Sequence, residues 1–106
     1  MAKFVLMYTG GTMPESEAER AQVMSAWGAW FGGLGTAVAD GGNPFTPTAK
    51  RIATDGQVSD GAVGTPATGY SILEAESQDA AVKMAQACPV LQGGSEITVY
   101  EIAPVM

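Results

Sequence analysis

The chain has no histidine and a single cysteine among its 106 residues. Without imidazole, the commonest metal ligand and the usual general base near neutral pH are both missing. One thiol, Cys88, excludes an intrachain disulfide and any structural zinc site built from several thiolates. Positive charge is scarce as well: 5 Lys and Arg face 11 Asp and Glu, for a formal charge of −6. Nucleic-acid affinity comes mostly from neutralising phosphates, and only Lys50 and Arg51 are adjacent bases, so a nucleic-acid partner is not expected. An anionic membrane surface is disfavoured on the same ground. No apolar run approaches the length of a membrane span. The opening MAKFVLMYTGG meets glycine too soon for a secretory signal core, so a cytoplasmic protein is expected.

What is present is ordinary globular material, 46% hydrophobic and 15% charged, enough for one domain over residues 1–106. So low an ionic content leaves apolar surface over, which points to contact with another subunit.

Residues 3–9 (KFVLMYT) form a compact apolar run bounded by glycines, expected as a strand buried on both faces. Thr12 and Glu15 have capping-box spacing, with Pro14 tolerated in a first turn. A helix to about Leu34 follows, its inner stripe Val23, Trp27, Trp30 and Leu34 widened by Met24 and Phe31. Gly28, Gly32 and Gly33 weaken that helix, and close approach of another backbone is the expected compensation. Residues 36–40 are a second strand, and 44–48 are loop. Asp55 and Gly56 between short β-forming arms signal a two-residue type I′ hairpin. Residues 69–76 alternate as a strand. Ser77 caps a second helix with Ala80, Ala81, Met84, Ala87 and Cys88 inward, stopped by Pro89. Residues 95–102 are the last strand. The order defines an α+β chain, a ferredoxin-like split βαβ sheet with two helices on one face and an inserted β-hairpin.

The stretches KFVLMYTGG, WGAWFGGLGTAVADGG, RIATDGQVSDG, GYSILEAESQDAAVKMAQACP and GGSEITVYEI follow one another in that order over nearly the whole chain. Through them the chain resembles the YCII-related (DGPF-domain) family. The resemblance implies a homodimeric α+β barrel, two ferredoxin-like sheets packed across a two-fold axis. The family's Asp-Gly-Pro-Phe turn is degraded here to Asp60, Gly61, Ala62 and Val63. Its His–Asp dyad would place a histidine near Met24, and there is none. One branch of the family is similar to dehydrochlorinases of chlorinated hydroquinones.

Asp60 is the candidate proton-transfer group, or else a turn residue accepting backbone N–H bonds before Gly61. Candidate ligand contacts are Tyr8, Trp27, Trp30, Asp40 and Asn43. Trp27 and Trp30 line an aromatic pocket or simply fill the core. Asp40 and Asn43 flank a glycine pair at a strand end, either touching ligand or punctuating a loop. Tyr70 would present a second phenol to the same cleft as Tyr8. Cys88, at the negative end of a helix, is unsuited to nucleophilic attack. No metal site or cofactor is implied. Two functions remain open: a dimeric domain binding a small apolar or aromatic ligand, and a cofactor-free enzyme of lyase or isomerase type using Asp60.

Overall fold

The computed structural model describes residues 1–12 and 15–104. The first strand, β1 (Ala2–Gly10), leads to α1 (Glu17–Leu34), a 3₁₀ turn at Gly35–Ala37 and the short β2 (Val38–Asp40). An arm of β3 (Lys50–Ile52) and β4 (Val58–Asp60) follows. Then come β5 (Ala67–Ala75), α2 (Gln78–Ala85), a 3₁₀ turn at Pro89–Gly93 and β6 (Ser95–Glu101). The main sheet runs β2-β5-β1-β6 with every neighbouring pair antiparallel. Each βαβ unit thus has a strand of the other unit between its own two. This is the ferredoxin-like α+β topology.

Strand parity decides where the core sits. Phe4, Leu6 and Tyr8 of β1 and Ser71, Leu73 and Ala75 of β5 point to one face and are buried beneath α1 and α2. Trp30 joins the two helices to that core, its indole N–H donating to the Met84 carbonyl at 3.0 Å. The other face of β1, expected to be buried as well, is only half covered at Val5, Met7 and Thr9. The helices lie on one side, so the second apolar face of the strand has no layer to pack on within the described residues.

Four local expectations are corrected. The N-cap of α1 is Ser16, whose hydroxyl accepts from the Glu19 N–H at 3.1 Å, so the box begins there and not at Thr12. Thr12 instead donates its N–H to the Gly93 carbonyl, and Met13 and Pro14 lie outside the described residues. The second strand is shortened to Val38–Asp40 because a 3₁₀ turn takes up the residues before it. Among the described residues a Cβ on Gly28, Gly32 or Gly33 would meet nothing within 4 Å, so no neighbouring backbone there compensates these glycines. The hairpin loop is not type I′, which needs positive φ at two central residues, and no non-glycine residue described has one. The Gly56 N–H closes on the Ala53 carbonyl at 2.8 Å, and left-handed Gly56 (φ +89°) returns the chain to β4. This is the three-residue loop built on a turn followed by a left-handed glycine.

Candidate functional site

Tyr8 faces the helices because it lies in register with Leu6 and Phe4 on the inner side of β1. Its hydroxyl donates to Ser71 Oγ at 2.7 Å, and Ser71 Oγ donates on to the Gly41 carbonyl at 2.9 Å. The chain of hydroxyls therefore ties β1, β5 and the loop after β2 into one unit. Burial pushes the Tyr8 phenol well above its ordinary value, only partly offset by the Ser71 hydrogen bond. The phenol is a neutral donor across the working pH range. Cys88 Sγ lies 4.0 Å from the same hydroxyl, and burial pushes its thiol up too. A thiol held protonated is a poor nucleophile.

Aromatic rings roof this pair. Trp27 meets Tyr8 edge to face, centroids 5.6 Å apart, and meets Trp30 in the same manner at 5.6 Å. Phe31 tilts against both indoles at 5.5 and 5.1 Å. Trp30 is core, with its N–H satisfied; Trp27 is half-buried at the rim of the cluster.

Asp40 ends β2 in the open. Its Oδ1 accepts from the Gly42 N–H at 2.8 Å, and Tyr70 OH lies 3.4 Å from Oδ2. Gly42 is held at φ +74° directly on β5, where a Cβ would fall 1.7 Å from the Tyr70 carbonyl. No other residue fits that close approach. The Asn43 carbonyl accepts from the Tyr70 N–H at 3.3 Å, while its side chain is exposed. Tyr70 is a correction. It alternates with buried Ser71 and so projects from the opposite face to Tyr8, stacking on Phe45 at 5.8 Å. The two phenols do not share a cleft.

Asp60 stands on β4 of the arm, its side chain 86% exposed and ion-paired to Lys50 directly across the hairpin. Its carboxylate is thus held by a side chain rather than by turn N–H groups. The structure brings Tyr8, Trp27 and Trp30 together, but turns the Asp40 carboxylate to Tyr70 on the opposite face, leaves the Asn43 side chain exposed and places Asp60 apart. Two shallow grooves, one between α2 and β6 and one beside Leu34, Glu74 and Met84, hold none of these residues. Ser71 is the member that sequence reasoning missed. Its signal is parity: Ser71 shares the inward face of β5 with Leu73 and Ala75. Among the described residues no group of three or more His, Cys, Asp or Glu is arranged to hold a metal, and no helix is long and apolar enough to cross a membrane.

The fold and the inner cluster define a small ferredoxin-like α+β domain with a hydroxyl pair under aromatic rings. No family model and no curated protein matches the chain. Among solved structures it is similar to 5-chloro-2-hydroxyhydroquinone dehydrochlorinase from Burkholderia phenoliruptrix AC1100, in complex with 2,5-dihydroxybenzoquinone. The two share 19% identity with a TM-score of 0.55, over 94% of this chain and 93% of that one. At that identity the likeness establishes the fold.

Proposed function

We propose that the chain is a YCII-related (DGPF-domain) protein that acts as a homodimer and binds a small apolar or aromatic molecule, as a binding domain without the family's dyad. The observation that carries ligand binding is the neutral Tyr8 donor set beneath half-buried Trp27, beside the backbone of residues 40–43. Such a site offers ring faces to a planar ligand above a phenol whose proton is committed to Ser71. Trp30 would fix the wall, while the Asp40 carboxylate stands with Tyr70 on the opposite face of the sheet. The complex of the similar dehydrochlorinase with a dihydroxybenzoquinone supports that ligand class. The catalytic alternative finds less support. Asp60 is spent on an exposed ion pair, and the phenol and thiol nearest the rings are both kept protonated by burial.

The dimer rests on the open face of the sheet. Ile72, Val5 and Tyr100 form one row across it and Tyr70, Met7 and Thr98 the next. Lys3 with Glu74 and Thr9 with Glu96 lie at the two ends. An apolar centre with a polar rim is the anatomy of a protein interface, and an apolar outer face departs from the polar alternation of a solvated antiparallel sheet.

Calorimetric titration with 2,5-dihydroxybenzoquinone and simple hydroquinones tests the ligand reading. Saturable binding that weakens roughly tenfold in Trp27→Leu is the expected result, as for loss of an aromatic anchor. No heat from any member up to millimolar concentration overturns it.

A further inference from the structure

The main sheet ends in two unlike edges, β2 and β6. The β2 edge is three residues long, its register slips between Val38 and Asp40, and the chain beyond it is bridged to β5 at Pro44. Short length, a slipped register and proline each keep an edge strand from pairing with another chain. The β6 edge has none of these. It runs seven residues in continuous register with β1, holds no proline and no lysine, and carries Ile97, Thr98, Val99 and Tyr100 in a row. Such a run of β-forming residues is a template for a further strand. Exposed Val82 and Leu91 help to line a groove of about 400 Å³ along the same strand, so apolar surface borders the edge as well.

Hydrogen-bond parity shows what that edge offers. The Ile102 N–H donates to the Lys3 carbonyl at 2.8 Å, and these two residues stand opposite when the β1–β6 register is continued by one. In an antiparallel pair, residues bonded to the partner strand alternate with residues bonded away from it. Tyr100, Thr98 and Glu96 therefore bond to β1, while Ile97, Val99 and Glu101 turn N–H and carbonyl to the free edge. The Val99 carbonyl, at the middle of that set, is taken: the Gln78 side-chain amide donates to it at 3.1 Å. Gln78 is the first residue of α2, set there by the Ser77 cap, whose hydroxyl accepts from the Ala80 N–H. Its carboxamide stands where the peptide N–H of an added strand would stand.

The acids of β6 do not close the edge by themselves. In a two-fold pairing of β6 with the β6 of a second copy, centred on Val99, Glu101 would oppose Ile97 and Glu96 would oppose Ile102. No like charges then lie directly opposite. That pairing needs the Val99 carbonyl as an acceptor, the atom that Gln78 holds.

We propose that Gln78 is an edge guard: its carboxamide on the Val99 carbonyl keeps β6 from adding the β6 of a second copy to the sheet. The inference is independent of the open-face dimer and of the ligand site. It assigns to one side chain the protection that short length, a slipped register and proline give the opposite edge.

Sedimentation velocity of the full chain, from micromolar to millimolar concentration, tests this in three proteins. Wild type should reach a limiting mass, and Gln78→Ala should go on to a species of about twice that mass, as two-fold pairing requires. Gln78→Ala/Glu101→Pro should return to the wild-type limit. Proline at 101 removes an N–H that points away from β1, so it blocks the edge and spares the β1–β6 ladder. Gln78 and Glu101 are exposed, and circular-dichroism melts identify both variants as folded. A Gln78→Ala chain that keeps the wild-type limit throughout overturns the guard. A larger species that survives the proline overturns it too, because that species is not built on the β6 edge.

Discussion

Tyr8 makes a pH signature at the scale of one residue. In the folded chain its phenol is held above the ordinary value of 10.0, chiefly by burial. The unfolded chain releases that proton near 10 while the folded chain keeps it, so the native state binds more protons there. The contribution is fully present below that pH and falls away as pH rises past it. Cys88 acts in the same direction from its own lower starting value of 9.0. Urea midpoints at pH 8 to 11 should therefore fall in wild type and fall less steeply in Tyr8→Phe; parallel profiles would defeat the assignment. The two tryptophans separate too. Trp30→Ala removes a side chain only 8% exposed and should cost about 3–5 kcal/mol, while half-buried Trp27→Ala should cost clearly less. Equal losses would mean that Trp27 is core rather than rim. Asp60→Asn should leave ligand binding unchanged, since it breaks only an exposed pair with Lys50.

Elements were legible in the sequence where hydrophobic period and length agreed, as in β1, β5 and the two helices. Two inward assignments fail, however: Met24, expected on the inner stripe of α1, is 71% exposed, and Ala87, expected on the inner face of α2, is exposed beyond its end at Ala85. Boundaries were harder, because several residues compete for the same cap. Thr12 and Ser16 both precede a glutamate three residues later, and spacing alone does not rank them. The structure assigns the role to Ser16, so Ser16→Ala should cost about 1 kcal/mol and Thr12→Ala much less. Reversal of that order in thermal melts would return the cap to Thr12. The glycines of α1 were legible as weak points, but their expected compensation is not found among the described residues. Gly28→Ala and Gly32→Ala have open space for the added methyl and should stabilise by about 1 kcal/mol each. A loss instead would reveal a neighbour supplied by another molecule. The inner site was half legible for a related reason. Sequence names tyrosine and tryptophan readily, but Ser71 emerges only when strand parity turns a small polar residue into the partner of a buried phenol.

At the scale of the whole molecule, the decisive feature is that β1 is apolar on both sides and is covered on one. Its inward residues are fully buried, yet Val5 and Met7 of the outward set are only half so, at the centre of an apolar patch. A soluble monomer would be expected to alternate polar residues there, as sheets with a solvated face do. The proposed pairing of two copies would cover that face, and light scattering should then return about twice the chain mass of 10.8 kDa. Val5→Asp probes the patch at its middle, between Ile72 and Tyr100. In a two-fold contact a central residue lies near its own copy, so the substitution places two carboxylates together in a desolvated layer. Each isolated chain tolerates the change, because the position is half-exposed and on the side away from the core. The variant should therefore be a folded monomer with a native-like circular-dichroism spectrum. A Val5→Asp protein that stays dimeric would place the interface elsewhere than the open face.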